Sequence, residues 1–361
     1  MDQSRTTLDE AYTRLRATGP EFQGWLSNHG PMVAEAMIRH GHQDTVHSWL
    51  DTYTRRLEPF PVSRRSIGPD WRNALGDIHR VADWAQHFED ALAEQPWRIV
   101  LNVWWPRLLP GIAAGATHGV IRVGHAVRAL LRDGESPRRL TELAQGLAYW
   151  AARWQPMTAP SGFWNEEPKN PVSAPFPNPL ETILDALART SRVEAGGFDE
   201  WVGKMNLVPE WSDTMRQATV PRTDIVPAWL AHLVDVAVFR YLRYGHGNGI
   251  MLVHSATAPN AVLRTLPVLE RRWWRPSALA AWIAAATLTA LYAPSSPYGP
   301  AMGAQSATTI GMSPLDAFAM PSKHRDEHVI KFADTALDVY ARTSDSKALA
   351  AIYKAGSLIQ P

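Results

Sequence analysis

Apolar residues recur at three- and four-residue spacing along most of the chain, the period of a helix with one buried face. Residues 31–57 (PMVAEAMIRHGHQDTVHSWLDTYTRRL) predict two helices broken at Gly41. Pro31 suits a first helical turn and Gly41 a C-terminal cap. Residues 70–95 (DWRNALGDIHRVADWAQHFEDALAEQ) predict a helix started by an Asp cap. Residues 96–132 and 138–154 continue the pattern, interrupted at Pro106 and Pro110. Alternating strands and hairpin turn pairs are scarce. The expected fold is therefore all-α, a single large multi-helix domain over residues 1–361. Two stretches break the period. Residues 156–179 hold seven prolines, and residues 294–322 are rich in Pro, Gly, Ser and Ala. Both are expected as irregular loops, each either a lid or a plain surface connector. The first is also a candidate boundary between helical halves.

Composition narrows the function classes. Hydrophobic residues make up 45% and charged residues 20% of 361, ordinary for a folded chain. A formal net charge of +1 gives no electrostatic footprint for nucleic acid. There is no cysteine, which excludes disulfides, thiolate-bound haem, iron–sulfur clusters and cysteine nucleophiles, and fits a reducing cytoplasm. The polar N-terminus lacks the apolar core of a signal peptide. The longest uncharged run, Pro276–Ala293, falls short of the ~20 residues of a membrane span, so it is read as a buried helix. Tryptophan is in surplus, 16 in all. It suits an aromatic core, or a pocket for a flat aromatic ligand.

Several chemistries leave no trace. There is no Walker loop and no GxGxxG, and GHGNG at 245–249 has the wrong spacing. HExxH, ExxH, GxSxG and a His-Asp dipeptide are missing too. What remains is 13 histidines in suggestive places. In SNHGPM, Asn28 or His29 would serve as a plain helix cap, or His29 as a ligand. In GATHGVIRVGHA, His118 and His125 lie nearly two turns apart on one helix face, amid glycines that permit close approach. They fit a core as well as a site. His254 in MLVHSAT says little alone. In KHRDEHVIK (323–331), His324, His328 and Lys331 share a face if the stretch is one helix. A solvated face is the plain reading. Metal ligation is the sharper one, with Lys331 neutralised by burial and carrying a CO2-derived carbamate. The HxD patterns at 42–44 and 324–326 diverge by ~200° on a helix and are discounted as iron triads.

SNHGPM, RLLPGIAAGATHGVIRVGHAVRAL (107–130), LAYWAARWQP (147–156), MLVHSAT and DEHVIKF together resemble the questin oxidase-like family, in the family's order and over nearly the whole chain. The resemblance implies an oxidoreductase. It would be a non-haem iron oxygenase that opens a ring of a polycyclic aromatic polyketide such as an anthraquinone, by Baeyer–Villiger-type oxygen insertion or C–C cleavage. Fe(II) and O2 would be its cofactors, with NADPH used by some members. By motif, the implied metal ligands are His29, His118, His254, His328 and carbamylated Lys331. Arg122 stands where the fungal pattern has a second histidine, and His125 lies close by; His125 and His324 are reserve ligands. Arg122 would orient a phenolate or carbonyl, or form an ordinary helix salt bridge. Trp104, Trp105, Trp150 and Trp154 would wall a planar substrate. Two other readings stand beside this one: a metal-dependent hydrolase with the same ligand types, usually on a (β/α)8 barrel, and a non-catalytic binder of flat aromatic compounds. Strand content separates the first of these from an oxygenase.

Overall fold

The computed structural model describes residues 3–157, 180–188, 197–208, 211–217, 222–297 and 313–361. Most of the candidate loops, 158–179 and 298–312, therefore lie outside the described residues. The chain is all-α. It divides into two compact units, one of residues 1–155 with 267–269, the other of 156–266 with 270–361.

The first unit holds α1 (Gln3–Leu15), α2 (Gly30–Arg39), α3 (Gln43–Tyr53), α4 (Val81–Glu94), α5 (Trp97–Leu108), α6 (His118–Asp133) and α7 (Pro137–Ala152). A two-residue hairpin, Glu21–Phe22 with Leu26–Ser27, precedes α2. The break between α2 and α3 falls at Gly41, whose φ is +79°. The expected helix over 70–95 is shorter than its pattern: short 3-10 turns cover Trp71–Ala74 and Ile78–Arg80, and α4 starts at Val81. Gly76 interrupts it. Its φ of +78° is left-handed, and an added Cβ would sit 2.6 Å from the Trp154 carbonyl. Pro106 does not end α5, which runs on to Leu108. α7 packs on α4 and α6, and α6 on α2. Trp84, Trp97, Trp105 and Trp150 are fully buried in this unit.

The second unit holds α8 (Leu180–Ala188), α9 (Phe198–Val202), α10 (Trp211–Gln217), α11 (Val226–Tyr244), α12 (Gly249–Thr265), α13 (Trp274–Tyr292), α14 (Pro314–His324), α15 (Glu327–Thr343) and α16 (Ser346–Leu358). α12 packs on α11, α13 and α15. α13 contains the long uncharged run and is buried from Ser277 to Ala290. No helix among the described residues is long and apolar enough to cross a membrane.

Two expectations need correction here. Residues 314–322, expected as loop, are helical: Pro314 occupies a first turn, and the Ser313 side chain accepts a bond from the Asp316 amide. KHRDEHVIK is not one helix either. α14 ends at His324, Arg325 takes a left-handed φ of +68°, and Asp326 caps α15 by accepting from the His328 and Val329 amides. His324 thus leaves the face that carries His328 and Lys331, and its Nε2 lies 3.2 Å from the Gly356 carbonyl.

Candidate functional site

In the first unit, α2 and α6 each begin at a histidine, and those two rings meet. His29 Nε2 lies 2.7 Å from His118 Nε2, with the rings edge-on at 85°. Local sequence explains both placements. Asn28 does the capping that His29 could have done: its Oδ1 accepts from the Gly30 amide at 2.9 Å, and its Nδ2 donates to the Gly19 carbonyl. The His29 amide donates to the Tyr53 hydroxyl at 2.6 Å. His118 follows three consecutive left-handed residues, Gly115, Ala116 and Thr117, with φ of 52°, 53° and 72°. A β-branched residue there is a true outlier, and such strain costs about 1–3 kcal/mol and clusters at functional sites. Gly115 is obligatory in a second sense, since an added Cβ would lie 2.6 Å from the Tyr149 hydroxyl.

The turn also sets a tautomer. His118 Nδ1 is 2.6 Å from the Gly115 carbonyl. A carbonyl only accepts, so Nδ1 carries the hydrogen, and the neutral ring presents its Nε2 lone pair toward His29. Metal-bound histidines are oriented in this way.

In the second unit, His254 of α12 and His328 of α15 lie with ring centroids 5.6 Å apart. Lys331 follows His328 by three residues and is fully buried. No described residue hydrogen-bonds its Nζ. Burial lowers its pKa to about 7, against the opposing pull of Glu327 and Asp326. Asp326, Glu327 and His328 each offer one ligand atom, all within 4.8 Å of one another. The two acids were missed in the sequence, although an Asp-Glu pair opening a helix is a readable signal.

Arg122 and His125 are held by buried carboxylates. Arg122 makes a bidentate pair with Glu142 at 2.6 and 2.8 Å, and a further bond to Gln145 at 3.0 Å. This is the helix salt bridge that stood as its alternative role. His125 Nδ1 bonds Glu35 at 2.9 Å. Burial pushes the Glu35 carboxyl up, but Arg128 and then His125 outweigh it and hold the group well below the usual carboxylate range. Of the four tryptophans named as walls, Trp104, Trp105 and Trp150 are buried inside the first unit. Trp104 meets Trp71, Trp84 and His87 edge-on, and Trp105 meets Trp150. Trp154 leaves no room for a Cβ at Gly111. Flat rings with one donor each fill space between helices efficiently.

Residues 34–336 match the sequence profile of the questin oxidase-like family. The chain belongs to this family. The matched span includes His118, His254, His328 and Lys331, while His29 lies just ahead of it. A search of curated proteins finds no match. The family is named for an oxidase, which points to an oxidoreductase. The chain's strands among the described residues amount to one hairpin of two-residue strands, so the barrel-type hydrolase has no support from the fold.

Proposed function

We propose that this questin oxidase-like protein is a non-haem iron oxygenase that opens a ring of a polycyclic aromatic polyketide such as an anthraquinone. The reading extends a family name to a reaction through one observation: two imidazoles meet Nε2 to Nε2, and the tautomer of one is set by a strained turn. Two lone pairs aimed at each other repel unless a proton or a cation lies between them. The donor set fits iron. Imidazole suits Fe(II), and an anionic oxygen ligand offsets its charge.

In the first unit His29 and His118 would supply imidazoles to a metal; in the second His254 and His328 would do the same, with Lys331 supplying the anion. A lysine with a pKa near 7 is neutral in appreciable fraction at physiological pH. The neutral amine can add CO2, forming an N–C bond and releasing a proton, and the resulting carbamate has two oxygen donors. A redox metal supplies the electrons that let triplet O2 react with singlet carbon, which no side chain here can do. NADPH is the proposed reductant if one oxygen atom leaves as water. The substrate is proposed as a planar, electron-rich phenol or hydroquinone.

The test is metal analysis of protein purified without air, with and without bicarbonate, for wild type and Lys331→Ala. The expected result is near-stoichiometric iron in the wild type, rising with bicarbonate, and little in the variant. Wild-type protein that takes up no iron would sink the oxygenase reading. Full iron occupancy in Lys331→Ala would sink the carbamate.

A further inference from the structure

Each histidine pair joins two packed helices, and in both cases a buried polar cluster ties the same two helices together further along. On α2, Glu35 follows His29 by six residues; on α6, His125 and Arg128 follow His118 by seven and ten. Glu35 is fully buried and takes His125 Nδ1 at 2.9 Å, Arg128 Nε at 3.0 Å and Arg132 Nη1 at 3.3 Å, besides a close contact with Arg128 Nη2. In the second unit, Asn260 and Arg264 follow His254 on α12 by six and ten residues. Asp334, Thr335 and Asp338 follow His328 on α15 by six, seven and ten. Arg264 Nη2 bonds Asp334 at 2.6 Å and Asp338 at 2.7 Å, and Asn260 Nδ2 bonds Asp338 at 2.9 Å. Asp334 is fully buried and Asn260 nearly so.

We propose that these clusters, centred on Glu35 in one unit and Arg264 in the other, are positioning devices that set the axial register of the histidine-bearing helices and so hold each histidine pair in place. The physical reason is directionality. Apolar faces attract in proportion to buried area and specify sliding poorly. A one-residue slide is about 1.5 Å, enough to lose a nitrogen–nitrogen contact of 2.7 Å. The same slide would strand a buried charge away from its partner, which is strongly unfavourable. Six to ten residues of helix put the cluster members about 9–15 Å from their histidines, close enough to fix the ring and too far to touch the metal. Neither cluster is needed as a source of stability, because apolar replacements of a buried ion pair are often neutral or stabilising. This inference rests on the metal reading above for its consequence, but not for its geometry.

The test replaces each cluster by apolar residues. One variant carries Glu35→Leu with Arg128→Leu, the other Arg264→Met with Asp334→Leu and Asp338→Leu; Glu35→Gln and Arg264→Lys are the milder companions should either fail to fold. Co(II) serves as the metal probe, read by titration and by its visible spectrum. Metal-free protein labelled with 15N-histidine is read by ring-nitrogen resonances. Expected are an unchanged or raised melting temperature, a Co(II) affinity lower by roughly 10–100-fold, an altered Co(II) spectrum, and shifted or broadened ring signals of the histidine pair in the altered unit. Unchanged ring signals together with unchanged Co(II) affinity would overturn the proposal. If the wild type binds no Co(II), the metal reading fails by itself. The ring signals of the metal-free variants then still decide the register: displaced signals support it and unchanged ones refute it.

Discussion

Lys331 carries an ammonium precursor into a fully buried position with no hydrogen-bonding partner among the described residues. As a structural residue it is a liability. Its folded pKa, about 7, lies below the ordinary 10.5, so the folded state binds fewer protons than the unfolded one between those values. Stability from this group therefore rises with pH across that window, and its penalty is greatest below pH 7. Lys331→Met should stabilise CO2-free, metal-free protein at pH 6, by on the order of 5 kcal/mol at most. The gain should fade toward pH 10.5. The same variant should lose iron. Denaturant melts at three pH values, beside metal analysis, check the opposite signs; a variant less stable at every pH would show that Lys331 is a packing residue. Arg122 makes the contrary case. Its guanidinium fills the needs of buried Glu142, so Arg122→Ala should cost about 3–5 kcal/mol, and Arg122→Met with Glu142→Leu should recover most of it. Recovery of folding in the double variant with no recovery of turnover would return Arg122 to the substrate.

At the scale of elements, the loop before α4 is held by one carboxylate. Asp83 accepts from the Ser63 hydroxyl and from the Arg64 and Arg65 amides at 2.7–2.9 Å, and from Arg80. Burial raises its pKa, but the two amide bonds, Arg80 and Ser63 together bring it down to about 2 from 3.8. Its contribution is thus complete above pH 3.8 and is lost as the pH falls toward 2. Asp83→Ala should destabilise by about 1–3 kcal/mol near pH 7. The gap between variant and wild type should close in acid, which urea melts at pH 7 and pH 3 would register. A gap independent of pH would place the loss in packing rather than in the carboxylate. The Asp326 cap shows how one residue divides an element: its two amide bonds start α15 where periodicity alone continues α14.

For the molecule as a whole, each unit has its own aliphatic and aromatic interior, so folding should not depend on metal. Chelation should leave far-UV helicity intact and abolish oxygen consumption. Restoring Fe(II) at a hundredfold excess over its dissociation constant should raise stability by about 2.7 kcal/mol. Collapse of helicity on chelation would make the metal a structural element, as in small zinc domains.

Helical period, the Gly41 break, the buried Ala-rich helix at 274–292 and the all-α class all follow from the order of residues, because they depend on neighbours three and four apart. The motif order likewise pointed to the family, since motifs survive without knowledge of contacts. What sequence could not supply is which polar groups already have partners. Whether Arg122 met a substrate or a salt-bridge partner, and whether His125 was a reserve ligand, stayed open until Glu142 and Glu35 were seen to bind them. Trp105 and Trp150, candidate walls in the sequence, are each other's edge-on neighbours, and Trp104 meets Trp84. Close packing and the cost of burying unpaired charge are settled between distant segments. For that reason the tertiary structure alone decided that His118 faces His29, that His328 faces His254, and that Lys331 is buried with no hydrogen-bonding partner among the described residues.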